Sequence, residues 1–330
     1  MNPATTGTTA PAPARPLAQT IAGFLLRHIM VVVMLLIVAF FMYRSARFGT
    51  PDNLVTILVA AAPFALIALG QTLVILTGGI DLSVGSVIAV SAMAAAWSAK
   101  NVSENPAVPP VAALGAGLAA GVVNGLVVSR LNVPPFITTL GMLTLASGLA
   151  YVIGNGAPIN GLPASYGTFA NTQFLGLKIP VLLMIVAILV FAFVMRSTSY
   201  GLRIYAIGGN RLAAEIAGVR SRNVLFSVYA LSGLLAGISG LMLSSRVITG
   251  APNLGQGYEL DAIAAVVIGG ASLMGGRGTV WGTAIGLLLI QTINNGLDIL
   301  LVPSYWQSVI KGVIIVAAVG VDVWAARRGR

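Results

Sequence analysis

Long apolar runs, broken by short clusters of Gly, Pro or charged residues, repeat along most of this chain. A helix needs about 20 predominantly apolar residues to cross a bilayer. By that length the pattern predicts about ten spans, at residues 24–43, 54–76, 83–99, 111–129, 136–153, 179–195, 223–245, 260–275, 279–296 and 306–324. The expected fold class is an all-α, polytopic membrane protein. Several spans are short and their joints are glycine-rich, which points to broken or re-entrant helices. Such backbone survives at membrane depth only where protein buries it or water reaches it. Residues 1–23, rich in Thr, Ala and Pro, read as a disordered cytoplasmic tail. Residues 24–330 read as a single transmembrane domain. The run 24–43 is too long for a signal-peptide core and has no convincing cleavage site, so it is expected to be retained.

One polar interruption stands out. Arg196 to Arg222 carries five arginines and one glutamate between apolar runs on both sides. Asn210 is placed to cap a short helix over Arg211 to Ala217, with Gly218 as its stop. That helix is expected to present Ala213, Ala214 and Ala217, with Glu215 among arginines. A solvated basic loop near anionic lipid is the plain reading. The alanines also make a small smooth surface suited to a groove on a partner. Placing the N-terminus in the cytoplasm puts this loop inside, with Arg130, Arg277 and the C-terminal arginines. That gives the expected excess of basic residues on the cytoplasmic side.

Polar residues elsewhere are sparse enough to name. Gly78 to Ser86 joins the second and third spans, with Asp81 or Ser83 as the N-cap of the following helix. Capping is the plain role, and a gating role is compatible with it, because a carboxylate at membrane depth is costly and usually partnered. Asn132 to Gly141 opens the fifth span. Its prolines suit a helix start, and Thr138 and Thr139 either hydrogen-bond across helices or line a polar path beside Phe136. Gly269-Gly270 and the Gly275–Gly278 cluster read as packing and turn residues. Lys311 could pair with Asp261, Asp298 or Glu259, with snorkelling to the outer face as the simpler account. Two segments recur. Ile80-Asp81-Leu82 resembles Leu260-Asp261-Ala262, and Asn124-Gly125-Leu126 before Val133-Pro134 resembles Asn295-Gly296-Leu297 before Val302-Pro303. An odd number of spans separates the partners, so the halves would be inverted copies, with the pathway near the repeat interface. Asp81, Ser83, Asn124, Phe136, Thr138, Thr139, Asp261 and Asn295 are therefore the candidate path or gate residues.

Composition narrows the function. The chain is 57% hydrophobic and 8% charged, against about 25% charged in soluble domains. Its formal charge of +10 is explained by arginines flanking spans, so nucleic acid is not an expected partner. There is no cysteine and a single histidine, His28, which leaves no basis for a His/Cys metal site. The only lysines are Lys100, Lys178 and Lys311, and no phosphate-binding Gly-rich loop ends in one of them. No nucleophile–base constellation appears, and no cofactor is expected.

At these motifs the chain resembles the membrane permease subunits of bacterial ribose-type sugar importers driven by ATP-binding-cassette ATPases. The Gly78–Ser86, Asn132–Gly141, Tyr200–Val219 and Gly269–Val280 runs carry the likeness, which covers nearly everything after Asn53. The resemblance implies a location in the bacterial inner membrane, with both termini cytoplasmic. It implies a pore completed by a second permease copy, identical or paralogous. A separate cytoplasmic ATPase would bind the ATP, and a periplasmic binding protein would deliver the sugar. Asn210, Arg211, Ala213, Ala214, Glu215, Ala217 and Gly218 would form the ATPase-coupling helix. The alternatives are a self-contained secondary transporter or channel, or a permease of the same superfamily for a solute such as a branched-chain amino acid.

Overall fold

A computed structural model describes residues 29–103 and 105–313, together with 316 and 320. The expected N-terminal tail, the start of span 24–43, His28 and most of the end of span 306–324 lie outside the described residues. The helices are α1 (Ile29–Arg44), α2 (Pro51–Leu76), α3 (Val84–Asn101), α4 (Val108–Arg130), α5 (Pro135–Ile153), the single turn α6 (Thr168–Asn171), α7 (Ile179–Ser197), α8 (Ser199–Gly209), α9 (Arg211–Ile216), α10 (Ser221–Val247), α11 (Tyr258–Ile268) and α12 (Val280–Ile299). A further helical stretch covers 304–313. Five of these, α2, α4, α5, α7 and α10, are long and apolar enough to cross a membrane. The protein is an all-α multi-pass membrane protein; among the described residues its strands are a pair of two-residue strands, Gln173–Phe174 against Leu177–Lys178.

The tightest packing joins α4 to α10. Gly117 and Gly121 face Gly233 and Gly237, four residues apart on each helix. A Cβ on Gly117 would lie 2.5 Å from the Gly233 carbonyl oxygen, and one on Gly121 would lie 2.5 Å from the Tyr229 oxygen. Lipid tails are as apolar as leucine, so close backbone approach and dispersion must hold such helices together. Gly121→Leu is expected to drive the pair apart at a cost of at least about 1–3 kcal/mol. A lower thermal midpoint in detergent would show it, and an unchanged midpoint would contradict the packing. On α2, Pro51 occupies the first turn and the Thr50 hydroxyl caps the Asn53 N–H at 3.3 Å.

Two expected elements differ. The span 260–275 is an eleven-residue helix that stops at Ile268, and residues 269–279 run without helix. Its apolar composition continues to Met274, but Gly270, Gly275, Gly276 and Gly278 all take positive φ and end the helix. At 1.5 Å per residue α11 reaches about 16 Å, half a bilayer core. The Arg196–Arg222 loop is in fact mostly helical, as α8 and α9.

The two Asn-Gly-Leu segments before Val-Pro share local backbone features. Asn132 and Leu301, each immediately before Val-Pro, take left-handed φ values of 55° and 56°. The Val133 and Val302 N–H groups fold back to carbonyls of the preceding helix, Val127 and Leu297. Gly125 abuts Phe226 and Gly296 abuts Phe41, so both glycines pack against an aromatic residue.

Candidate functional site

Gln71, Asp81, Ser83, Asn124, Thr139 and Ser232, all buried, meet around the extended segment between α2 and α3. Asp81 is 2% exposed. Its Oδ1 accepts from the Ser83 N–H at 2.9 Å and the Ser83 hydroxyl at 2.6 Å, and its Oδ2 accepts from the Ser232 hydroxyl of α10 at 2.9 Å. Asn124 of α4 donates to Ser83 Oγ at 2.9 Å. The Gln71 side chain of α2, with its amide nitrogen toward the Asp81 carbonyl (3.1 Å) and its oxygen toward the Asp81 N–H (3.3 Å), holds the backbone. Thr139 of α5 donates to the Ile80 carbonyl at 3.2 Å. Four helices thus grip one short irregular segment. Ser232 lies eleven residues into α10, about 17 Å from its start, which puts the carboxylate at membrane depth. Among the described residues no Lys or Arg pairs with Asp81; hydroxyl and N–H donors alone stabilise it. The Tyr229 hydroxyl and Asn124 Oδ1 are buried beside this segment without partners. Gly79 must be glycine here, since a Cβ would lie 2.5 Å from the Tyr229 hydroxyl.

The other candidates are dispersed. Asn295 forms a reciprocal amide pair with Asn53, both bonds 2.9 Å. Thr138 Oγ1 is buried without a partner, and Phe136 is 54% exposed. Asp261 pairs with Lys311 at 2.8 Å, so the snorkelling account of Lys311 is wrong: the first turn of α11 places a carboxylate within reach of the helical stretch 304–313. Lys311→Met strands the nearly buried Asp261, at a cost of about 3–5 kcal/mol for an uncompensated charge. Adding Asp261→Asn should return most of it. Thermal midpoints of the two variants in detergent check this; equal midpoints would count against the pair.

At the other end of the same segment three glycine clusters meet. The α8 terminus at Gly208 lies against the Leu76 carbonyl oxygen, and a Cβ on Gly208 would also lie 2.5 Å from the Gly276 nitrogen. Gly276 N–H donates to the Leu76 carbonyl at 3.0 Å, and the Tyr205 hydroxyl donates to the Gly278 carbonyl at 2.9 Å. Past this contact comes α9. Asn210 Oδ1 caps the Ala213 N–H at 3.0 Å, and Gly218 closes the helix at φ 88°, as the sequence predicts. The outward surface differs from expectation. Ala214 turns inward at 5% exposure, while Leu212 and Ile216, one turn apart, stand out at 69% and 80%. Ala213, Glu215 and Ala217 are exposed. Arg211 donates to Glu215 at 3.0 Å and holds its carboxyl below the ordinary glutamate value. The pair is therefore present above that ordinary range and is lost only as pH falls below it.

Against this geometry stand the comparisons. A family model described as the permease component of branched-chain amino acid transport systems matches residues 53–319. The chain belongs to this permease family. The permease is 42% identical to the ribose import permease protein of Bacillus subtilis (strain 168), over 84% of this chain and 87% of that one. It is 40% identical to the ribose import permease protein of Escherichia coli (strain K12), over 92% and 98%. The galactose/methyl galactoside import permease protein of the same strain is 38% identical over 88% and 92%. No solved structure matches. The likeness to ribose-type permeases read from the motifs is thus borne out.

Sequence reasoning missed Gln71, Ser232, Tyr229, Leu212 and Ile216. Gln71 had a signal, as an amide in the middle of an apolar span. Ser232 sits among small residues of a helix interface, where composition alone does not separate packing from hydrogen bonding.

Proposed function

We propose that this permease is the pore-forming subunit of an ATP-binding-cassette importer that moves a monosaccharide, ribose or a related sugar, into the cytoplasm. The observation that carries the reading is the linkage from α9 to Asp81. The exposed Leu212–Ile216 pair and the Arg211–Glu215 bridge offer a mixed apolar and charged knob to a groove on a partner. Behind the knob, α8 ends against Leu76, and residues 77–80 separate that contact from Asp81. A partner that displaces α9 therefore pushes on the segment that four helices grip by hydrogen bonds.

In this reading a cytoplasmic ATPase binds and hydrolyses ATP, and the permease needs no cofactor of its own. A periplasmic binding protein delivers the sugar. A second permease copy, identical or paralogous, completes the pore in the inner membrane, with lipid around it and both termini in the cytoplasm. Asn210, Arg211, Ala213, Glu215, Ala217 and Gly218 shape the docking helix, and Ala214 anchors it. Asp81, Ser83, Asn124 and Thr139 hold the gate segment. The sugar class rests on the ribose and galactose relatives. The family description favours a second substrate class, a branched-chain amino acid.

The test uses the absence of cysteine. An Ala213→Cys variant is expected to react with a membrane-impermeant maleimide only after cells are permeabilised. Labelling in intact cells overturns the docking assignment. Proteoliposomes holding permease, ATPase and binding protein should accumulate ribose or galactose only with ATP. Uptake of leucine instead would decide for the second class.

A further inference from the structure

Beside the Asp81 segment lies a cavity of about 210 Å³ that the linkage from α9 does not use. It is formed where the first turns of α3, one stripe of α5 and the turn before α11 converge. Its polar lining is Ser86, Ser147, Tyr151, Asn253, Gln256 and Glu259. A volume of about 210 Å³ holds about seven waters at their liquid share of about 30 Å³, room for one small solute but not for a peptide.

The position of Glu259 is built. Gly85 touches its Oε2, so any side chain at residue 85 would displace the carboxylate, and a Cβ there would also lie 2.6 Å from the Gly255 carbonyl. Gly255 and Gly257 both take φ 84° and fold the turn that presents Gln256 beside it. Glu259 lies in the first turn of α11, so it stands about 13–14 Å from the helix end at Ile268, near the middle of a bilayer. Among the described residues no Lys or Arg pairs with it, whereas Asp261, two residues on, is taken by Lys311. A carboxylate at that depth without a cation, facing a cavity, is a functional group by default.

We propose that this cavity is the point at which the permeating polyol is held in transit, and that Glu259 and Gln256 read its hydroxyls. This rests on the sugar-importer reading and adds the residues that select. Sugar hydroxyls donate as well as accept. Glu259 supplies an acceptor-only group, Asn253 and Gln256 supply both kinds, and Ser86 and Ser147 adapt by rotation. The Tyr151 ring offers an apolar face to the C–H side of a pyranose or furanose. A branched-chain amino acid could set its ammonium against Glu259, but its carboxylate would find no Lys or Arg among the described lining residues.

The experiment is initial uptake of D-ribose and D-galactose by the full complex in proteoliposomes, for wild type, Glu259→Gln and Gln256→Ala. Gln256 is exposed on a turn, so its variant keeps the test valid if Glu259→Gln folds poorly. A site that reads hydroxyls predicts at least a tenfold fall in uptake of the preferred sugar for Glu259→Gln. It also predicts a change of at least fivefold in the ribose-to-galactose ratio for either variant. A purely structural role would lower both sugars together, and an unchanged ratio overturns the proposal. A wild-type complex that imports neither sugar overturns the importer reading and, with it, the ligand assigned to this cavity.

Discussion

Asp81→Ala is expected to unfold or silence the permease more thoroughly than any other single truncation of the interior. The change leaves three buried donors without an acceptor: the Ser83 N–H, the Ser83 hydroxyl and the Ser232 hydroxyl. A buried donor without a partner costs about 1–3 kcal/mol. The sum is a large part of the roughly 5–15 kcal/mol that holds a domain folded. The loss also spreads, because Ser83 Oγ is the acceptor for Asn124 and loses its fixed orientation. Ser232→Ala should cost much less, since it removes one donor from an oxygen whose neighbour remains saturated. Asp81→Asn should be milder still. Its remaining oxygen can keep the two Ser83 bonds, and its NH₂ can donate to Ser232, whose hydroxyl rotates to accept. The expected order of thermal midpoints in detergent is wild type, Asp81→Asn, Ser232→Ala and Asp81→Ala. Asp81→Ala with a near wild-type midpoint would mean that the carboxylate is a ligand group and not a structural one.

Much of this was legible in the residues. Spans 54–76, 111–129, 136–153 and 179–195 each fall within a few residues of α2, α4, α5 and α7, because a run of apolar side chains with Pro at its start leaves little alternative to a helix. Asn210 and Gly218 marked the ends of α9 by local chemistry alone. The end of α11 was not legible. Hydropathy averages over the Ala-Ser-Leu-Met run after Gly270 and does not register that a left-handed glycine has already turned the chain. Side-chain partners were less legible again. Lys311 had three acidic residues within plausible reach, and the three-dimensional packing, not the sequence, selects Asp261. Ala214, expected on the outward face, turned inward for a similar reason: the helix is too short for periodicity to say which face is buried.

The proposed linkage from α9 to the Asp81 segment makes its sharpest prediction at Gly208. A side chain there would drive into the Leu76 carbonyl oxygen and the Gly276 nitrogen, both backbone atoms that cannot rotate away. Gly208→Val should therefore separate α8 from the end of α2, at a cost of about 1–3 kcal/mol of overpacking. Gly209 is the internal control, because a Cβ on it meets nothing within 4 Å. Both changes replace a glycine at the end of the same helix, so they share any effect on chain flexibility. Only one alters the contact between the end of α8, which leads into α9, and the end of α2 before residues 77–80. In the reconstituted importer, Gly208→Val is expected to cut sugar uptake at least tenfold while the ATPase still binds, and Gly209→Ala to keep uptake within about twofold of wild type. Equal uptake by the two variants would show that force does not travel through the glycine contact. The remaining route would then be α10, which follows α9 in the chain and carries Ser232 to the same carboxylate.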